Sequence, residues 1–160
     1  MASSKPPDPA TSTAPSGASP STAWLRSLTA ASEGADLGPQ QLAWLGDAVW
    51  ELHQRLRHCR TPGRSADLHR AVVAAVEAAA QQRALERLQP LLDPQERDQV
   101  RRGRNRSPRG PRRGDPAIYG QATGFETMLG WLFLRNPRRL AELLDHLEKT
   151  DPPPTSHPSP

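Results

Sequence analysis

Apolar residues return every three or four positions along most of this chain. Leu42, Leu45, Val49, Leu52 and Leu56 form one such series, and Leu68, Val72, Ala75, Ala79 and Ala80 a second. Ile118, Ala122, Phe125, Leu129, Leu132 and Phe133 form a third, and Leu140, Leu143, Leu144 and Leu147 a fourth. That spacing is the repeat of an α-helix with one buried face. No segment of useful length alternates with the period of two that a half-buried strand requires. The expected fold class is therefore all-α, helices joined by short connections.

Start and stop signals divide the series into elements. A short helix is expected from Thr22 to Leu28, capped by Ser21. The next begins after Asp36, with Pro39 in its first turn, and runs to about His58, where Thr61-Pro62-Gly63 ends it. Ser65 caps a third helix, which the alanine-rich sequence carries to about Leu88. Asp93-Pro94-Gln95-Glu96 combines an N-cap, a first-turn proline and an acid three residues on, and starts a short helix ending near Arg102. Asp115-Pro116 opens a helix to about Arg135, and Asn136-Pro137 opens the last.

A length of 160 residues suits one domain. Residues 1–20 hold five prolines among Ser, Ala and Thr, and residues 151–160 hold five more, so both ends are expected to be disordered tails around a folded domain of residues 21–150. No apolar window approaches a membrane span, and no apolar run with a cleavage site opens the chain. No membrane association or secretion is expected. The single cysteine, Cys59, cannot form an intramolecular disulfide and fits a reducing, cytoplasmic setting.

Two acids stand among bulky apolar residues. Asp47 lies in LGDAVWE, beside Ala43, Trp44 and Trp50, in a helix whose first half is apolar nearly all round. Glu126 lies in ATGFETMLGWLFL, sharing its sector with Tyr119 and Phe133. A carboxylate crowded by such side chains needs a charge partner or a metal. Gly124 and Gly130 flank Glu126 in a helix, where glycine costs about 1 kcal/mol against alanine, and such glycines permit close approach of another backbone. Helices packed through that gap would bring Asp47 and Glu126 together, and hard oxygen ligands suit Mg²⁺. Glu51, one turn after Asp47, is a supporting acid or the partner of an arginine. The alternative for both main acids is a salt bridge to one of the many arginines.

Residues 101–114, RRGRNRSPRGPRRG, contain seven arginines and no acid. The net charge is +4, and clustering makes it informative. Arg101, Arg102, Arg104, Arg106, Arg109, Arg112 and Arg113, with Asn105, are expected on a Gly- and Pro-rich loop that clasps phosphates. His69 and Arg70 are further candidates for a phosphate contact. The histidines form no HxxxH or HExxH pattern, so no zinc site is expected.

Leu45-Gly46-Asp47-Ala48-Val49-Trp50-Glu51 and Thr123-Gly124-Phe125-Glu126-Thr127-Met128-Leu129-Gly130-Trp131-Leu132-Phe133-Leu134 resemble the IGDAVYE and TxFEALIGYLYL segments of Mini-III, the compact ribonuclease III relatives. Leu68-His69-Arg70 with Val76 to Gln81 resembles that family's intervening helix, and Arg101 to Asn105 its RRGRN element, in the right order over roughly residues 38–147. The resemblance implies a ribonuclease III-like helical endonuclease domain. It also implies a homodimer that cuts double-stranded RNA with Mg²⁺, trimming the precursor of large-subunit (23S) ribosomal RNA, with a ribosomal protein as a possible helper. Asp47 matches the metal-binding Asp of the GDA motif and Glu126 the Glu that bridges the catalytic metals. Full-length ribonuclease III enzymes carry further acids where this chain has Gln40, Ala43 and Thr123. Mini-III proteins resemble this chain in lacking the full set. The competing account is a non-catalytic RNA-binding or ribosome-assembly module on the same fold.

Overall fold

The computed structural model describes residues 37–60, 62–106 and 115–151. The expected Thr22–Leu28 helix, the proline-rich tails apart from Asp151, and Arg109, Arg112 and Arg113 lie outside the described residues.

Among the described residues six helices follow in order: α1 Pro39–Cys59, α2 Ser65–Val76, α3 Ala78–Leu88, α4 Pro94–Arg106, α5 Pro116–Arg135 and α6 Pro137–Thr150. A 3₁₀ turn, Gln89–Leu91, follows α3. No strand occurs among the described residues, so the chain is all-α. Three of the expected caps form, but Ser65 does not cap: α2 starts on it, and the N-cap residue is Arg64, with no side-chain cap bond. Asp93 accepts a hydrogen bond from the Glu96 amide at 2.8 Å and the Glu96 carboxylate accepts from the Asp93 amide at 2.8 Å, a reciprocal capping box. Asp115 accepts from the Ala117 amide and Asn136 from the Arg139 amide.

α5 is the central helix. Phe125, Met128 and Leu129 are fully buried, and α1, α3, α4 and α6 all pack on it. Trp50, Leu85, Leu88, Val100, Leu143 and Leu147 close the core around it. Trp50 meets Phe125 edge-on at 5.1 Å and donates its indole N–H to the Ala75 carbonyl. Glu96, 1% exposed, is held by Arg139 at 2.8 Å, so its charge is paired as burial demands.

Three expectations need correction. The helix expected from Ser65 to Leu88 is broken at Glu77, whose backbone is extended (φ −61°, ψ 146°) and whose carbonyl caps α3 by accepting from the Ala80 and Gln81 amides. Alanine propensity favours continuation, so tertiary packing imposes the break: Leu85 and Leu88 of α3 must reach the core. Next, α4 runs to Arg106 instead of Arg102, which puts Arg101, Arg102, Arg104 and Arg106 on a helix and not on a loop. Gly103 does not end that helix. A Cβ there would lie 2.3 Å from Thr127 Oγ1 and 2.8 Å from the Thr123 carbonyl, so glycine is what lets α4 lie against α5. Finally, the apolar stripe of α1 is buried only in part: Leu42 is in the core and Val49 packs against it. Leu42, Ala43, Gly46, Trp50 and Gln54 are buried, while Leu52 and Leu56 are 41% and 58% exposed.

The closest helix contact is between α1 and α5. A Cβ on Gly46 would lie 1.8 Å from the Glu126 carbonyl oxygen, and one on Gly130 would lie 2.1 Å from the Leu42 carbonyl oxygen. Thr127, fully buried, donates its hydroxyl within range of the Pro39 carbonyl and its own helix at Thr123. Gly46→Ala and Gly130→Ala should each destabilise the fold by about 3 kcal/mol or more, since backbone cannot yield as a side chain does. A Cβ on Gly120 would meet no atom within 4 Å, and Gly120→Ala should be neutral or stabilising by up to about 1 kcal/mol. Urea unfolding of the three variants checks this; equal losses at all three would sink the packing argument.

Candidate active site

The Gly46–Gly130 crossing decides where the two acids stand. Asp47 follows Gly46 directly, and Gly46 rests on the backbone of Glu126. The two helices therefore meet at the residues that carry the acids. The Asp47 charge acts on Glu126, whose half-buried carboxyl is pushed up to about 7, mainly by burial and further by Asp47. A side-chain hydrogen bond from Gln81 opposes that rise. Asp47 is itself raised by burial and by the nearby Glu51, although its side chain reaches solvent. No salt bridge to either acid is found among the described residues. The arginine-paired alternative therefore does not describe them.

Glu51 does take an arginine: its carboxylate pairs with Arg55 at 2.5 Å one turn on. Thr123, which stands where full-length enzymes carry an Asp, donates to the Tyr119 carbonyl within α5. Among the described residues no group of three or more His, Cys, Asp and Glu is arranged to hold a metal. What the site offers is two carboxylates, one half-buried and one exposed, each raised by its surroundings. That donor set fits a hard divalent ion that retains several waters, Mg²⁺ above all. It does not fit an ion that needs a closed protein cage.

The arginines divide into two kinds. Arg101 and Arg102 both bond Asp98, whose carboxyl their contacts hold below its usual range. That acid stands just before the acid-free window, on the same helix. Arg104 and Arg106 are exposed, and no acid pairs with them among the described residues. The aliphatic stem of Arg104 passes over Gly124, within 3.0 Å of where a Cβ would sit, two residues from Glu126. Asn105 is exposed on the same turn. Arg70 is paired with Asp67, and His69 is exposed on α2.

Sequence reasoning missed Gln81. It is 2% exposed, and the break at Glu77 starts the helix that carries its amide to Glu126. A polar side chain inside an alanine-rich stretch was the available signal, since a glutamine among alanines on a buried face needs a partner.

A family model described as the ribonuclease III domain matches residues 40–137. The Mini-ribonuclease 3 of a Synechococcus species is 50% identical over 115 residues, 72% of this chain and 83% of that protein. That of a Synechocystis species is 46% identical over 133 residues, 82% and 93% of the two chains. That of Gloeobacter violaceus is 49% identical over 108 residues, 68% and 80%. A crystal structure of a Fusobacterium nucleatum protein superposes with a TM-score of 0.65 at 26% identity, covering 71% of this chain and 93% of that one. The helical order, the family match and the relatives agree: the chain belongs to the ribonuclease III domain family, among the Mini-ribonuclease 3 proteins.

Proposed function

We propose that the protein is a Mg²⁺-dependent endoribonuclease that hydrolyses double-stranded RNA as a homodimer, with precursor large-subunit (23S) ribosomal RNA as its substrate. The observation that carries this reading is the crossing at Gly46 and Glu126, which sets two acids without a cationic partner side by side at the surface of the central helix. Two such carboxylates repel each other and lose hydration, and a divalent cation relieves both costs.

Asp47 and Glu126 bind and orient the ion, and Gln81 fixes the Glu126 carboxylate for that task. When bound, Mg²⁺ supplies Lewis acidity that activates water and offsets charge on the phosphate. Hydrolysis by water, without the ribose 2′-hydroxyl as nucleophile, leaves a 5′-phosphate and a 3′-hydroxyl. Arg104 and Arg106, with Asn105 beside them, face outward to meet the RNA backbone. Arg109, Arg112 and Arg113 extend that basic run in sequence, while Arg101 and Arg102 must share their charge with Asp98. Duplex RNA hides its base edges in a narrow major groove, so recognition through phosphate and 2′-hydroxyl suits such a surface.

Dimerisation is supported by the outward face of α1. Leu45, Leu52 and Leu56 fall within a sector of roughly 40° at 100° per residue, and Trp44, 82% exposed, flanks them. An apolar face of this kind on a small domain marks an association surface. A two-fold dimer would present one acid pair to each strand. No described helix is long and apolar enough to cross a membrane. A cytoplasmic setting, with a ribosomal protein as helper, completes the proposal.

The test is incubation of duplex RNAs, precursor ribosomal stems included, with Mg²⁺ and mapping of the ends. Wild type should release 5′-phosphate ends, and Asp47→Asn or Glu126→Gln should each slow cutting at least a hundredfold while leaving RNA binding near wild type. Normal binding with no cutting by wild type would instead establish the non-catalytic RNA-binding module.

A second expectation concerns pH. A carboxyl raised in the folded state keeps its proton after the unfolded chain has lost it. Stability of the metal-free protein should therefore fall as pH rises from about 4.5 to about 7, with the loss fully present above that. The loss is on the order of 3 kcal/mol. Glu126→Gln should unfold several degrees higher than wild type at pH 8 and no higher at pH 4; an unchanged difference across that range would contradict the burial of this charge.

Dimerisation has its own check. Light scattering should give a dimer for wild type and a monomer for the Leu52→Glu, Leu56→Glu double variant. A variant that stays dimeric would move the interface off α1.

A further inference from the structure

A cavity of about 260 Å³ opens between α1, α2 and α3, with Asp151, after α6, also on its lining. It lies apart from the acids. Gln54, on its wall, is two helical turns and roughly 10 Å along α1 from Asp47. It is also roughly 160–180° around α1 from Leu45 and Leu52, so an association face there leaves the cavity open.

Its lining is mostly arginine and alanine, with Trp50, Gln54, His58 and one carboxylate. Arg57, Arg83 and Arg87 bring three guanidinium groups to it. Asp151 is the single carboxylate in the lining; it pairs with Arg57 at 2.5 Å and stands 3.8 Å from Arg87. Arg83 is exposed, with no acid paired to it among the described residues. The wall from α2 and the start of α3 is alanine, small and apolar. Two buried polar atoms on this lining have no hydrogen-bond partner: the Oε1 of Gln54, whose side chain is 2% exposed, and the Nε of Arg87.

Buried polar groups without partners are rare, and here two residues lining one cavity each carry one. One water could bridge the two, but a water occupies about 30 Å³ and leaves most of this space unfilled. The excess of guanidinium over carboxylate selects an anion, and arginine forks suit phosphate. Phosphate alone does not satisfy Gln54, because a carbonyl oxygen needs a ligand that donates. The alanine wall calls for an apolar, flat body of modest size, since the cavity falls just under the range of about 300–1,000 Å³ usual for drug-sized ligands.

We propose that this cavity binds a nucleoside monophosphate, its phosphate held by Arg83, Arg87 and Arg57 and a hydroxyl or amino group of the nucleoside donating to Gln54. The nucleotide can be free or the 5′-terminal residue of an RNA strand; both present the same phosphate and donor. The alanines take the face of the base.

The test uses the full-length protein in Mg²⁺-free buffer, with calorimetric titration of AMP, GMP, adenosine and inorganic phosphate. A short single strand with a 5′-phosphate, and the same strand with a 5′-hydroxyl, complete the set. At least one monophosphate should bind about tenfold or more tighter than both adenosine and phosphate. Arg83→Ala, which removes an exposed side chain without an acidic partner, should weaken it about tenfold with an unchanged circular dichroism spectrum. Gln54→Leu should lose nucleotide over phosphate selectivity. Asp47→Asn should bind nucleotide as wild type does. Tight binding of the 5′-phosphorylated strand alone assigns the site to RNA ends; binding of the free nucleotide assigns it to the small molecule.

No binding by any nucleotide or by the 5′-phosphorylated strand overturns the proposal. So do phosphate binding as tight as nucleotide, affinity indifferent to Arg83→Ala, and loss of binding in Asp47→Asn. None of these results bears on cutting by the acid pair.

Discussion

The contact between two helix backbones at Gly46 and Gly130 carries the rest of this structure. Ordinary helix packing keeps axes about 8–10 Å apart because side chains fill the gap. Here α1 rests on the carbonyl of Glu126 and α5 on the carbonyl of Leu42. That approach sets Asp47 beside Glu126 and removes water from the buried acid of the pair. The opposite side of α5 repeats the device. Gly124 meets the Val100 carbonyl of α4, and Gly103 of α4 meets Thr127. Glu126 is thus carried on a helix clamped from two directions, and its carboxylate is steadied from a third by Gln81.

Much of the fold was legible because its signals are local. Asp93 with Glu96, Asp115 before Pro116, and Asn136 before Pro137 announce helix starts through chemistry confined to a few residues, and each caps as expected. Other features depend on partners that a linear pattern does not contain. The apolar stripe of α1 looks like a core face along its whole length, yet the core takes Leu42, Ala43, Gly46 and Trp50 and leaves Leu52 and Leu56 exposed, because the close contact at Gly46 turns that side of the helix inward. Gly103 resembles a loop residue for the same reason: glycine marks both chain turns and tight contacts, and only the neighbouring helix distinguishes them. The break at Glu77 has no Pro or Gly beside it and follows from packing alone.

The site shows the same division. Asp47 and Glu126 stand out in sequence because acids among tryptophan and phenylalanine are unusual, and Gly130 pointed to the close approach beside them. Gln81 did not stand out, since its partner lies 45 residues ahead on another helix. The arginine run looked uniform but is not. Asp98 pairs with its first two members and offsets one of their two charges, and the arginines without an acid partner among the described residues begin at Arg104. Glu96 reads as a capping acid alone, although Arg139 on α6 also binds it and so ties the last helix to the start of α4.

One consequence follows from the burial of α5. The helix that presents Glu126 is also the strut on which α1, α3, α4 and α6 lean, with most residues from Ala122 to Leu134 buried. Such a helix has little freedom to accept substitutions, so inherited change in this protein has few routes through the acid pair itself. The exposed end of α4, around Arg104 to Arg106, has more room for change. New RNA preferences can arise there without disturbing the frame.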